Sequence, residues 1–172
     1  WLNTFPCPEG TVDKDAVQWY GLQPAERVLD QINIMPHFIQ STNFTPEWLS
    51  TFLTALADEV ECIRKNYFTD GSNIYVTQVQ AVTTAGMLMP EFKNATEWLN
   101  EGSLKISEQV TAQFLADGVQ VELDPSYHIG VVNDLYSIYK LAQLNNKLNL
   151  FPSNYTELLK KAARFVVDII YP

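Results

Sequence analysis

The chain has 172 residues, 47% hydrophobic and 18% charged, with 11 Lys and Arg against 20 Asp and Glu for a formal net charge of −9. The apolar content excludes an intrinsically disordered chain, and the length suits one domain, residues 1–172, with a sizeable core. The acidic balance argues against a nucleic-acid partner, whose phosphates need clustered Lys and Arg, and at face value against any polyanion.

The chain opens on Trp1 with no basic-then-apolar leader, the pattern of a processed or cut piece. Its two cysteines, Cys7 and Cys62, make no disulfide framework and are expected to be free thiols. Pro24 opens a helix to about Gln40, kinked at Pro36. Thr45-Pro46-Glu47 reads as an N-cap, a first-position proline and a first-turn acid, starting a helix to about Tyr67. An uncharged helix follows from Asn73 to about Met89, ended by Pro90. Asn94-Ala95-Thr96-Glu97 has the spacing of a capping box before a helix to about Leu115. The next helix runs from about Ser126 to Lys147, with Pro152 beyond it. Asn154-Tyr155-Thr156-Glu157 repeats the capping pattern before a helix to about Ile170. The longest uncharged run, Gly71 to Pro90, is too rich in Asn, Gln and Thr to sit in lipid, so no membrane partner is expected.

These helices are of two kinds. Those starting near Thr45, Asn94 and Asn154 are amphipathic, with polar faces carrying Asp58, Glu59, Glu61, Arg64 and Lys65, then Glu101, Lys105 and Glu108, then Lys160, Lys161 and Arg164. Those from Asn73 and Ser126 are apolar all round and are expected to be covered on all sides. Glu47-Trp48-Leu49 recurs as Glu97-Trp98-Leu99 and more weakly as Glu157-Leu158-Leu159, while Asp70-Gly71 recurs as Asp117-Gly118. Spacings of roughly 50 residues suit stacked helical hairpins, either a solenoid or an (α/α) toroid. In both, the inner helices run the same way, so the starts of the Asn73 and Ser126 helices should meet at one end.

The polar residues at that end are Asp70-Gly71-Ser72-Asn73 and Gln120-Val121-Glu122-Leu123-Asp124-Pro125-Ser126-Tyr127-His128. Helix N-termini suit an anionic ligand, and a Tyr and a His there suit proton transfer. Taken singly, each has a plainer reading. Asn73 alone is an N-cap, Tyr127 and His128 are buried polar groups with partners, and Glu122 is a loop carboxylate. His37 reads as packing beside Phe38, and Trp48 and Trp98 as core. The Asn-x-Thr sequons at Asn43, Asn94 and Asn154 read as helix caps. With two histidines in the chain a multi-histidine metal site is not expected, and no Gly-rich phosphate loop is present.

Together, Asp70-Gly71-Ser72-Asn73, then Met89-Pro90-Glu91-Phe92-Lys93, then Asp117-Gly118-Val119-Gln120-Val121-Glu122 and Tyr127-His128 resemble the heparinase II/III-type polysaccharide lyases in order and spacing. The resemblance implies an all-α chain forming an incomplete (α/α) toroid of antiparallel hairpins, followed in the whole protein by a C-terminal β-sandwich. It implies β-elimination on uronic-acid-containing polysaccharides, heparan sulfate-like or alginate-like, in a periplasmic or secreted setting and without a cofactor. Carried across, Asn73 would neutralise the substrate carboxylate, and Tyr127 and His128 would move protons. Glu122 would orient one of them, with Gln120 and Gln78 beside them as substrate-binding residues. Ile74 stands where family members often carry Trp, and the family's catalytic His from the β-sandwich is absent, so the piece alone is expected to be inactive. The alternatives are a non-catalytic carbohydrate-binding or scaffold domain and a toroid glycoside hydrolase, for which Glu122 and Asp124 would be the carboxylate pair. The negative charge lies largely on the outer helix faces, which readmits an acidic polymer while favouring a lightly sulfated one.

Overall fold

A computed structural model describes residues 5–170. Among them are six α-helices: α1 (Gln23–Phe38), α2 (Pro46–Lys65), α3 (Asn73–Leu88), α4 (Ala95–Ala112), α5 (Pro125–Leu144) and α6 (Tyr155–Ile170), with a single 3-10 turn at Leu148–Leu150. None is long and apolar enough to cross a membrane. They form three consecutive αα-hairpins. α1, α3 and α5 stand side by side, and α2, α4 and α6 pack outside them.

Helix starts follow the local chemistry unevenly. Thr45 caps α2 as its residue type predicts, its hydroxyl accepting the Trp48 N–H at 3.2 Å. Asn94 begins α4 but makes no cap bond. Its amide donates instead to Glu61 on α2 at 3.0 Å, and Glu97 pairs with Arg64 rather than reaching back to the cap. The expected capping box is therefore replaced by a bridge between α2 and α4, which Trp98 joins by donating to the same Glu61 oxygen at 2.7 Å. Pro36 falls in the last turn of α1, which stops at Phe38.

The core is built on α3. Twelve of its residues are buried, as its uncharged sequence requires. One apolar cluster joins it to α1, α2 and α4 through Val28, Ile32, Leu56, Val60, Ile63, Val82 and Trp98. A second joins it to α4, α5 and α6 through Val76, Val79, Ile106, Val131, Leu135, Ile138 and Leu159. α3 and α4 approach backbone to backbone. A Cβ on Gly86 would lie 2.5 Å from the Leu99 nitrogen and 2.8 Å from the Ala95 carbonyl oxygen. Neither atom can move without shifting α4, so Gly86→Ala should cost roughly 2–3 kcal/mol. A denaturant titration should show a lower midpoint with an unchanged slope.

Five expectations change here. α5 is covered along one stripe only, His128, Val131, Leu135, Ile138 and Ala142, and leaves Ile129, Tyr136 and Leu144 exposed. α3, α6 and the 3-10 turn at Leu148–Leu150 pack against it. Glu59, read as part of the outer polar face of α2, is 0% exposed and sits between Arg27 Nε at 3.1 Å and Gln31 Nε2 at 3.0 Å. Burial pushes its carboxyl above the usual range, against the pull of Arg27. Trp98 is core, but Trp48 is 42% exposed and stacks on Phe52, and His37 is exposed rather than packed. Finally, Cys7 and Cys62 form a disulfide, their Cα atoms 6.0 Å apart, tying the segment before α1 to the end of α2.

Candidate functional site

The starts of α3 and α5 meet, as the hairpin repeat predicts. Each is reached through the same turn. Asp70 Oδ1 accepts the Ser72 N–H at 3.0 Å and Asp117 Oδ1 the Val119 N–H at 3.1 Å, with the intervening Gly71 and Gly118 at φ of +79° and +94°. An added Cβ on Gly118 would also lie 2.9 Å from the Lys161 carbonyl oxygen, so this turn is both left-handed and packed on α6.

Between the second turn and α5 the chain passes through Leu123, a non-glycine residue at φ +58°. This left-handed step sends the two neighbouring carboxylates to different helices. Glu122 Oε2 accepts the Asn73 N–H of α3 at 2.9 Å. Asp124 Oδ1 accepts the Ser126 and Tyr127 N–H groups of α5 at 2.7 and 3.1 Å. Both helix N-termini, expected to be open to an anionic ligand, already hold an anion from the protein at these N–H groups. At this meeting point Asn73 is part-exposed, Tyr127 is 47% exposed, and Glu122 and Asp124 are exposed as well.

Three of the other predicted site residues, His128, Gln120 and Gln78, lie underneath. His128 is 1% exposed. Its Nδ1 accepts the Gln120 N–H at 3.0 Å and its Nε2 lies 2.9 Å from the Ala162 carbonyl oxygen, which places the ring proton on Nε2. The ring is held between Phe114 and Phe165, with centroids 5.7 and 4.8 Å away. Neither nitrogen is left to meet a substrate; the geometry is that of a residue fixing the α5 start against α6. Gln120 is 0% exposed, donating to Gln113 Oε1 and Glu122 Oε2, both at 3.0 Å, and accepting the Glu122 N–H at 2.9 Å. Gln78 accepts the Phe68 N–H at 2.8 Å and donates to the Gly21 carbonyl at 2.9 Å, stapling α3 to two loops. Both amides are turned inward.

Three participants, Gln113, Thr77 and Asp134, fall outside every motif. Gln113, at the end of α4, donates to the Gly71 carbonyl at 2.7 Å. One turn below Asn73, Thr77 bonds Asp134 of α5 at 2.6 Å. Burial pushes the Asp134 carboxyl up to about 6, opposed by the Thr77 hydroxyl and reinforced by the charge of Glu26. A carboxyl whose folded pKa is raised contributes its stability below the unfolded value and loses it as pH rises through about 6. Asp134→Asn should therefore stabilise the protein at pH 7, by on the order of 1–2 kcal/mol after solvent screening, and give no gain at pH 4. Thermal unfolding of both proteins at the two pH values reads this directly.

The fold and the placement of these groups define a class: an all-α array of hairpins whose inner helices start together at a polar cluster of Asn, Tyr and carboxylates. Comparison with known proteins narrows it. The chain belongs to the heparinase II/III family, matching the family model described as Heparinase II/III N-terminus over residues 1–172. It is similar to a heparin-sulfate lyase of Bacteroides thetaiotaomicron, 42% identical over 172 residues, covering 100% of this chain and 24% of that protein. A heparin-sulfate lyase of Bacteroides stercoris is 30% identical over 164 residues, covering 95% and 24%. Among solved structures, a crystal structure of heparinase III superposes with a TM-score of 0.92 at 42% identity, over 96% of this chain and 25% of that one. A heparan sulfate lyase mutant from Pedobacter heparinus superposes at 0.81 with 26% identity, over 100% and 27%. The chain thus spans about a quarter of the length of the relatives it matches.

Proposed function

We propose that this chain is a portion of the N-terminal toroid domain, an incomplete (α/α) toroid by itself, of a polysaccharide lyase that cleaves uronic-acid-containing polymers by β-elimination, heparan sulfate foremost. The carrying observation is that, of the six predicted site residues, Asn73 and Tyr127 are part-exposed and exposed where the inner helices begin, whereas His128, Gln120 and Gln78 are buried and the exposed Glu122 is engaged by the Asn73 N–H and the Gln120 amide. The names of the relatives point the same way.

The residue types fit the reaction. A base takes the proton at sugar carbon 5, its electrons form the double bond between carbons 4 and 5, and the bond from carbon 4 to the bridging oxygen breaks. The departing oxygen takes up a proton. The carboxylate next to carbon 5 must be neutralised for the carbanion-like state to form. The Asn73 amide donates to that carboxylate without titrating, and the Tyr127 phenol delivers the proton to the leaving oxygen and is suited to removing the first one. His128, Glu122, Gln120 and Gln78 then serve by holding these two in place. The rest of the toroid and a C-terminal β-sandwich with a further His would complete the cleft, and the isolated piece would be inactive. The disulfide supports a periplasmic or secreted location, since such bonds persist in oxidising compartments.

The hydrolase alternative loses support, because Glu122 and Asp124 are each engaged at a helix start. The test is to give the full-length protein heparan sulfate, a desulfated heparan backbone and alginate, and follow unsaturated uronate in the near ultraviolet. Unsaturated product from a heparan substrate is the expected result. New reducing ends without the chromophore would establish hydrolysis instead, and retention without cleavage would establish a binding module.

A further inference from the structure

The α3 and α5 starts are joined through a buried ladder of amides that ends at Gln113. Its side chain uses both N–H groups and its carbonyl at once. Nε2 donates to the Gly71 carbonyl at 2.7 Å and to Gln109 Oε1 at 2.9 Å, while Oε1 accepts from Gln120 Nε2 at 3.0 Å. Its own backbone carbonyl accepts the Val121 N–H at 3.0 Å. From Gln120 the ladder continues to Glu122 and through it to the Asn73 N–H, while the Gln120 N–H rests on His128. Gln113 is 1% exposed and reaches no solvent that could replace these bonds.

We propose that Gln113 is a positioning residue that sets the register between the α3 start carrying Asn73 and the α5 start carrying Tyr127, by holding the Gly71 turn and the Gln120 loop from a third helix. This rests on the lyase reading for its catalytic consequence but not for its structural one. An uncharged amide supplies two N–H donors and an acceptor from one side-chain end at every pH, which is the set these three bonds use. A hydrocarbon of the same size would strand the Gly71 carbonyl and the Gln120 amide, and a carboxylate would face the Gly71 carbonyl and Gln109 Oε1, both acceptors.

Two variants of the full-length protein test it. Gln113→Leu should speed hydrogen exchange at the Asn73 and Gln120 amides at least tenfold, leave exchange in the middle of α3 within twofold, and lower kcat on heparan sulfate by roughly 10–100-fold. Gln113→Glu supplies a readout that a merely structural role would not move. In its protonated form, the carboxyl introduced by that substitution can donate to Gly71 and accept from Gln120, as the amide does. The ratio of variant to wild-type kcat should therefore approach 1 in acid and fall as pH rises through the raised pKa of that buried carboxyl. Unchanged exchange at Asn73 and Gln120 in Gln113→Leu would overturn the proposal. So would a variant-to-wild-type kcat ratio for Gln113→Glu that does not vary with pH. If the wild type cleaves no uronate polymer, the lyase reading fails, and the exchange data alone decide the role of Gln113.

Discussion

Asn73→Ala and Tyr127→Phe, each made in the full-length protein, should lower kcat/KM on heparan sulfate by about 10²–10⁴-fold while leaving the fold intact. The expectation rests on what each change removes. Asn73 contributes to the fold through its backbone N–H, which Glu122 accepts, and that bond survives truncation to Ala. The lost amide is the group assigned to the substrate carboxylate. Tyr127 likewise uses its backbone N–H, to Asp124, and its side chain is half exposed. Removing the hydroxyl takes away a proton carrier and little packing. The contrast is His128→Ala. It leaves the Gln120 N–H unpaired, removes the extra bond to the Ala162 carbonyl and empties the space between two aromatic rings, so it should lower stability together with activity. A drop in activity without a drop in unfolding temperature for Asn73 and Tyr127, and with one for His128, separates chemistry from positioning.

Cys7→Ser should lower stability by about 4 kcal/mol. The disulfide closes a loop with a sequence separation of 55 residues, and chain-entropy bookkeeping for a loop of that length gives about 4 kcal/mol. The bond anchors the segment before α1 to α2, next to the hollow bounded by Pro6, Trp19 and Asp58. Thermal unfolding with and without reductant should reproduce the effect in the wild type and show none in the variant. Titration of the denatured, unreduced protein with a thiol reagent should find neither Cys7 nor Cys62 free. Two free thiols would contradict the bond.

Much of the fold was legible because it depends on neighbours in sequence. The Thr45 cap, the uncharged run of α3 and the roughly 50-residue repeat each carry their meaning within one helix or one hairpin. The same repeat located the candidate site, by requiring the α3 and α5 starts to meet. What was not legible depends on partners far along the chain. Asn94 looks like a capping box until Glu61, 33 residues earlier, takes its amide. Glu59 looks like surface until Arg27, 32 residues earlier, lies beside it. The cysteine bond is set by a tertiary approach that no spacing encodes. Gln113 has no motif because its bond to Gly71 spans 42 residues. Within the site, residue type marked Tyr127 and His128 alike as proton carriers. Only the placement of the imidazole nitrogens on Gln120 and Ala162 distinguishes them.

The most direct test of the account is a crystal structure of the full-length Tyr127→Phe protein with a heparan sulfate tetrasaccharide. The predicted result is a uronate carboxylate within hydrogen-bond distance of Asn73 Nδ2, with the bridging oxygen of the scissile bond facing the ring at position 127. A tetrasaccharide bound with its carboxylate remote from Asn73, or seated outside the meeting point of α3 and α5, would contradict it.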